Sequence, residues 1–164
     1  MLLPNFDYHE PGTINEALAL KDKYGSSARW LAGGTDLLVH LKKKLISADH
    51  VICLQNIPDL KRIQKDDETC FIGACATMSA LSGCEIVQSF YGALKSGGDN
   101  LGTHLIRNRA TVGGNVCNAS PAGDTLPALL VYKAVALLES VNGKRKVPIE
   151  SLFKGPGKID ILDN

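Results

Sequence analysis

The chain reads as an α+β protein in two lobes, a small βαβ lobe over residues 1–56 and a larger lobe with an antiparallel sheet over 57–164. Three observations predict this. Helix, strand, helix and strand patterns alternate through Leu54, the order that builds parallel βαβ units. The composition then shifts near Ile57-Pro58-Asp59. Farther on, Asn142-Gly143, a strong hairpin turn signal, separates two short strand-like runs.

The elements follow in order. Thr13-Ile14-Asn15-Glu16 fits a capping box, with Thr13 as N-cap and Glu16 three residues on; Ala17, Leu18, Leu20 and Tyr24 continue at helical spacing to a stop at Gly25. Ala28 to Ala32 reads as a buried strand ending at Gly33-Gly34. Thr35 or Asp36 can cap the next helix, which runs to Lys42-Lys43-Lys44, cations suited to a helix C-terminus. His50 to Leu54 is another strand. Lys61 to Glu68 reads as a solvated surface segment, Thr69 to Ala74 as a strand, and Thr77 to Leu81 as the start of a helix. A further helix is predicted over Ile86 to Leu94, ending at Lys95-Ser96-Gly97-Gly98. Ala134 to Glu139 and Arg145 to Ile149 form the two arms of the hairpin.

Composition removes several classes of function. With 45% hydrophobic and 21% charged residues, a mean hydropathy of +0.01 and a net charge of +1, the chain should bury a core without the basic surplus of a dedicated nucleic-acid binder. No apolar run reaches the roughly 20 residues that span a bilayer. The start, Met1 to Asp7, has no signal-peptide pattern, so a cytoplasmic location is expected. Cys53, Cys70, Cys75, Cys84 and Cys117 are odd in number and form no C-x-x-C pair; free, buried thiols are expected. His9, His40, His50 and His104 lack metal-ligand spacing, and no catalytic or metal-ligating residue is assigned.

Glycine is the informative excess: 16 residues, with doublets at Gly33-Gly34, Gly97-Gly98 and Gly113-Gly114. At the first, between a strand and a helix, glycine lets backbone N–H groups face an anion, the dipole of the helix N-terminus favours negative charge, and the Thr35 hydroxyl adds a donor. A plain tight βα turn is the competing reading, and Asp36, which would repel phosphate, then serves as an N-cap. The second lies in Ile106 to Asp124, dense in Asn, Ser, Thr and Gly, which supply short polar groups around a ligand or stabilise a long loop. Arg107 and Arg109 read as loop anchors. Asn118-Ala119-Ser120 matches a glycosylation sequon without a secretory context.

Ala32-Gly33-Gly34-Thr35-Asp36-Leu37 and the Ile106 to Asp124 run, with Phe6-Asp7-Tyr8, Ile72-Gly73-Ala74 and Phe153 to Lys158, resemble the FAD-binding (medium) subunit of molybdenum hydroxylases, the family of xanthine, carbon monoxide and nicotinate dehydrogenases. The resemblance implies a two-lobed FAD-binding domain of the vanillyl-alcohol-oxidase type. It implies that Trp30, Leu31, Ala32, Gly33, Gly34, Thr35, Asp36, Leu37 and Leu38 wrap the FAD pyrophosphate. Thr111, Gly114 and Asn115 would form the second binding loop, Ser120 and Asp124 would add contacts, and Leu101 with Gly102 would pack near the cofactor.

The same resemblance implies an oxidoreductase subunit that passes electrons from iron–sulfur clusters through FAD to NAD+ or another acceptor. Molybdopterin and iron–sulfur clusters would sit on partner subunits of a hetero-oligomer, and the substrate would be a purine or other N-heterocycle. Family members continue past Asn164, so the second lobe is expected to be incomplete, the family's C-terminal domain absent, and a companion chain to supply the rest. The alternative is a non-catalytic assembly module of the same fold without stable flavin. Gly33→Val or Gly114→Val is expected to abolish flavin retention while leaving most of the fold, because a branched Cβ would force the backbone away from phosphate oxygens or into a disfavoured φ.

Overall fold

The computed structural model describes residues 2–161, so Met1 at the start and Leu162-Asp163-Asn164 at the end lie outside the described residues. Three short strands, β1 (Asp7–His9), β2 (Ala28–Leu31) and β3 (His50–Cys53), form a parallel sheet in the order β1-β3-β2. Tyr8 pairs with Val51 on one side of β3, and Arg29 pairs with Val51 on the other. The sequence left β1 unassigned: three residues are too few to show a period.

Helix α1 (Ile14–Tyr24) covers one face of this sheet, packing Ala17 with Ala28, Ile52 and Ile57; α2 (Leu37–Lys42) covers the other, packing Leu41 with Leu31, Val51 and Cys53. Central strand β3 is thus buried on both sides, as a parallel strand between two helical layers should be. The Thr13 hydroxyl accepts from Glu16 N at 3.2 Å as expected, but Glu16 reaches back to Gly12 N (2.8 Å), one residue before the cap. Gly25, at φ +52°, stops the helix.

The stretch expected to be only a solvated segment contains strand β4 (Ile63–Lys65), paired antiparallel with β5 (Cys70–Ile72). Its alternating charges mask a half-exposed hairpin. One Asp66 carboxylate oxygen closes the turn, accepting from Thr69 N (2.6 Å), the Thr69 hydroxyl (2.8 Å) and Glu68 N (3.1 Å).

Seven helices follow among the described residues: α3 (Met78–Gly83), α4 (Glu85–Phe90), α5 (Gly92–Asn100), α6 (His104–Arg107), α7 (Val112–Asn118), α8 (Leu126–Val131) and α9 (Ile149–Leu152). Two expectations are corrected here. The helix predicted over Ile86 to Leu94 is broken at Tyr91 (φ −132°, ψ 51°), and Gly97-Gly98 lies inside α5 rather than at its end. Close packing explains the glycines: a Cβ at Gly97 would lie 2.5 Å from Asp124 O, and one at Gly98 2.7 Å from Ser82 Oγ.

Strands β6 (Val135–Ser140) and β7 (Gly143–Pro148) form the expected hairpin, with Ser140 opposite Gly143, so Val141-Asn142 makes the turn and Gly143 (φ +135°) opens the second arm. Strands β8 (Phe153–Gly155) and β9 (Lys158–Ile159) form another. The antiparallel part is therefore three separate two-stranded ribbons among the described residues. Met78, Leu81, Val87, Leu94, Val112, Leu129, Ile149 and Leu152 form their shared core. Cys53 and Cys75 are buried, Cys70 and Cys84 half-buried, and Cys117 is exposed, against the expectation that all five are buried. No helix among the described residues is long and apolar enough to cross a membrane.

Candidate functional site

The first glycine turn leaves the C-terminal end of β2, where ligands of parallel α/β sheets bind. Gly34 takes φ +80°, a conformation that favours glycine. The turn is held from behind: Gln55 Nε2 donates to Ala32 O at 3.0 Å, and Leu38 N donates to Gly34 O at 3.1 Å. The backbone N–H groups of Gly33, Gly34, Thr35, Asp36 and Leu37 donate to no acceptor among the described residues. A run of unpartnered amides at a strand-to-helix turn can donate to an anion.

Asp36 does not cap α2 with its side chain. Its carboxylate instead accepts from Asn118 Nδ2 and from the Thr35 hydroxyl, each at 3.4 Å. The N-cap reading of Asp36 is thereby corrected: with φ −101° and ψ −51° its backbone is already helical, which turns the carboxylate away from the amides it would cap.

The second glycine pair is built differently. The polar stretch expected as a loop is helical from Val112, with Thr111 as N-cap. Each early amide of α7 is used inside the protein: Val112 N donates to Ala76 O (3.0 Å), Gly113 N to Ala74 O (2.8 Å), Gly114 N to Thr111 Oγ1 (3.1 Å) and Asn115 N to Thr111 O (2.9 Å). Thr111 is 1% exposed, so its hydroxyl is a buried cap. What α7 can offer a ligand is side-chain chemistry, chiefly the Asn115 amide, whose Oδ1 accepts from the Thr125 hydroxyl at 2.6 Å.

The structure brings these two segments together. A Cβ on Gly33 would lie 2.1 Å from Arg109 O, and the Asp36–Asn118 hydrogen bond spans 82 residues of sequence. Leu31, Leu37 and Leu38 belong to the apolar cluster beneath the turn, so their side chains serve the core of the sheet layer. Trp30, on β2 just before the turn, is exposed. Ser120 spends its hydroxyl oxygen on Ala122 N at 3.2 Å. Asp124 lies on an open hollow of about 280 Å³ between α5 and α8, lined also by Gly97, Asn100 and Pro127. Leu101 and Gly102 have no hydrogen bond to the first turn; Arg107 Nη1 donates to both their carbonyls, at 3.4 and 3.0 Å, the anchoring role expected of it.

Sequence reasoning missed Gln55 and Thr125. Nothing local marks them, as their partners are 23 and 10 residues away. Tyr8 sits on β1, where a side-chain hydrogen bond with Cys53, then burial, push its hydroxyl up to about 12. Among the described residues no cluster of His, Cys, Asp or Glu could hold a metal.

A family model described as the FAD binding domain in molybdopterin dehydrogenase matches residues 4–164. The chain is 34% identical over 155 residues to the carbon monoxide dehydrogenase medium chain of Hydrogenophaga pseudoflava, covering 94% of this chain and 54% of that protein. It is 31% identical to the nicotinate dehydrogenase FAD-subunit of Eubacterium barkeri, covering 94% and 53%. It is 33% identical to the xanthine dehydrogenase FAD-binding subunit of Escherichia coli O157:H7, with the same coverage of 94% and 53%. Among solved structures, a carbon monoxide dehydrogenase from Hydrogenophaga pseudoflava superposes with a TM-score of 0.96 at 32% identity, covering 99% of this chain and 57% of that one. The chain thus spans about half the length of the curated relatives it matches.

Proposed function

This chain belongs to the family of FAD-binding domains of molybdopterin dehydrogenases, and on that premise we propose that it holds FAD and relays electrons within a multi-subunit molybdenum hydroxylase. The observation that carries the reading is the row of unpartnered N–H groups from Gly33 to Leu37. They fit the two charges of a pyrophosphate, which a single glycine turn of fewer amides would not satisfy. When bound, FAD accepts and releases electrons; the protein orients it and tunes its surroundings.

In this reading the backbone of Gly33 to Leu37 donates to the pyrophosphate, and the Thr35 hydroxyl turns from Asp36 toward it. Asn115, Ser120 and Asp124 add polar contacts, while Leu101 and Gly102 pack close by. The lobes divide at 56/57, with the site between them. Electrons come from iron–sulfur clusters on one partner and leave to NAD+ or another acceptor, in the cytoplasm. A molybdopterin partner chooses the substrate, which we extend to a purine or other N-heterocycle on the resemblance of Phe153 to Lys158. Val135 and Leu137 on β6, 56% and 47% exposed, support a contact of this face with a partner subunit of the assembly.

The test is equilibrium binding of FAD to the full chain, followed by its absorbance near 450 nm and by quenching of flavin fluorescence. Stoichiometric FAD, with FMN bound far more weakly, is expected. Failure to hold FAD both alone and with its copurifying partners would overturn the reading in favour of a flavin-free assembly module.

A further inference from the structure

We propose that Thr125 is a positioning residue that fixes the Asn115 side-chain amide with its NH2 turned into the candidate site, making Asn115 a dedicated donor to an acceptor atom of the ligand. Thr125 is 0% exposed. Its hydroxyl must donate, because a buried donor left unpaired is costly, and among the described residues only Asn115 Oδ1 accepts from it, at 2.6 Å. That settles the orientation of the amide. If Nδ2 faced Thr125 instead, the buried hydroxyl hydrogen would have no acceptor.

The other end of the amide is then defined. Asn115 is half-buried on the first turn of α7, and its Nδ2 donates to no described residue and is not buried. It is therefore open to whatever occupies the space beside α7, and it presents a donor with no competing acceptor. The setting holds Thr125 rigidly. A Cβ at Gly97 would lie 2.5 Å from Asp124 O and 3.1 Å from Thr125 Cα, so α5 presses directly on the Asp124–Thr125 backbone. Leu129 N donates to Thr125 O at 3.0 Å, which ties the residue to α8. Three helices thus converge to aim one amide. The chemistry selects an acceptor on the ligand, a phosphate oxygen or a ring carbonyl.

The inference that the ligand is FAD rests on the function proposed above, but the orientation of the amide does not, and two measurements separate them. In the full chain without ligand, the Asn115 side-chain NH2 resonances in a 15N–1H spectrum should lose their single native position in Thr125→Val and keep it in Thr125→Ser. Unchanged resonances in Thr125→Val would overturn the proposal whatever FAD does. With FAD as the probe, Thr125→Val should weaken binding about tenfold, as loss of one oriented hydrogen bond does, and Thr125→Ser should stay within about twofold. Asn115→Asp keeps the acceptor for Thr125 and loses the outward donor, so it should weaken FAD at least as much with the fold intact. Thr125→Val added to Asn115→Ala should cost nothing further; a second tenfold loss there would mean that Thr125 acts elsewhere and would overturn the proposal. Absence of FAD binding by the unmodified chain would strike the flavin reading alone, with the amide resonances still deciding the role of Thr125.

Discussion

The carbonyl oxygen of Arg109 occupies the space where any residue other than glycine at position 33 would carry its Cβ: the two would lie 2.1 Å apart, with Ala110 Cα at 3.0 Å. Gly33 is therefore a contact between two distant backbone segments. That corrects the expectation that a valine at Gly33 would empty the site and leave most of the fold; at Gly114 a Cβ would likewise press on protein, 2.8 Å from the Thr111 Oγ1 that caps α7. Gly34, at φ +80°, is the member of the pair whose left-handed backbone requires glycine.

Gly33→Ala should destabilise the chain by about 2–4 kcal/mol, because backbone rather than a flexible side chain must move. Gly34→Ala should cost about 1–2 kcal/mol through its left-handed conformation. Thermal unfolding checks the order, and equal shifts would remove the packing argument for Gly33.

Thr111→Ala should lower stability by about 1 kcal/mol, the usual loss on removing an N-cap, since its hydroxyl satisfies Gly114 N at 3.1 Å. Thr111→Ser should restore most of it. The check is chemical denaturation of both variants; a Ser variant as weak as Ala would point to lost methyl packing at this buried position.

Hydrogen bonds from the Thr69 amide, the Thr69 hydroxyl and the Glu68 amide hold the Asp66 carboxyl below the usual carboxylate range. A lowered folded value means the contribution is present above the unfolded value of about 4 and is lost as pH falls through the folded one. The Thr69 amide should therefore lose exchange protection on acidification below about pH 4, and Asp66→Ala should remove that pH dependence. Protection that is flat in pH with Asp66 intact would refute it.

Burial pushes the Cys75 thiol up to about 11. Since the thiolate is the reactive form, Cys75 should resist alkylation at pH 8 in the folded chain and react on unfolding. Peptide mapping after brief iodoacetamide treatment reads this directly; rapid labelling of Cys75 under native conditions would contradict its burial.

Much of the βαβ part was legible in the sequence. Thr13 and Gly25 marked the ends of α1 by local capping chemistry, and the apolar runs Ala28 to Leu31 and His50 to Cys53 marked two strands of the parallel sheet, of which β3 is buried on both sides. These signals live in neighbouring residues, so a sequence displays them. β1 and β4 escaped because three residues carry no readable period, and in β4 charge hid a half-exposed strand.

The sequence by itself determined the fold class, the two glycine-rich segments and the family motif, since each depends on residue type and short spacing. Only the tertiary structure decided how those segments divide their tasks. Gly33 and Gly113 look alike in sequence, as do Gly34 and Gly114, yet the amides of the first turn have no described acceptor while those of α7 are spent on Ala74, Ala76 and Thr111. Whether an N–H is free depends on which distant carbonyl meets it, and no local pattern encodes that. The same holds for Thr125, whose meaning comes from a hydroxyl buried beneath Asn115 and a Gly97 backbone pressed against it.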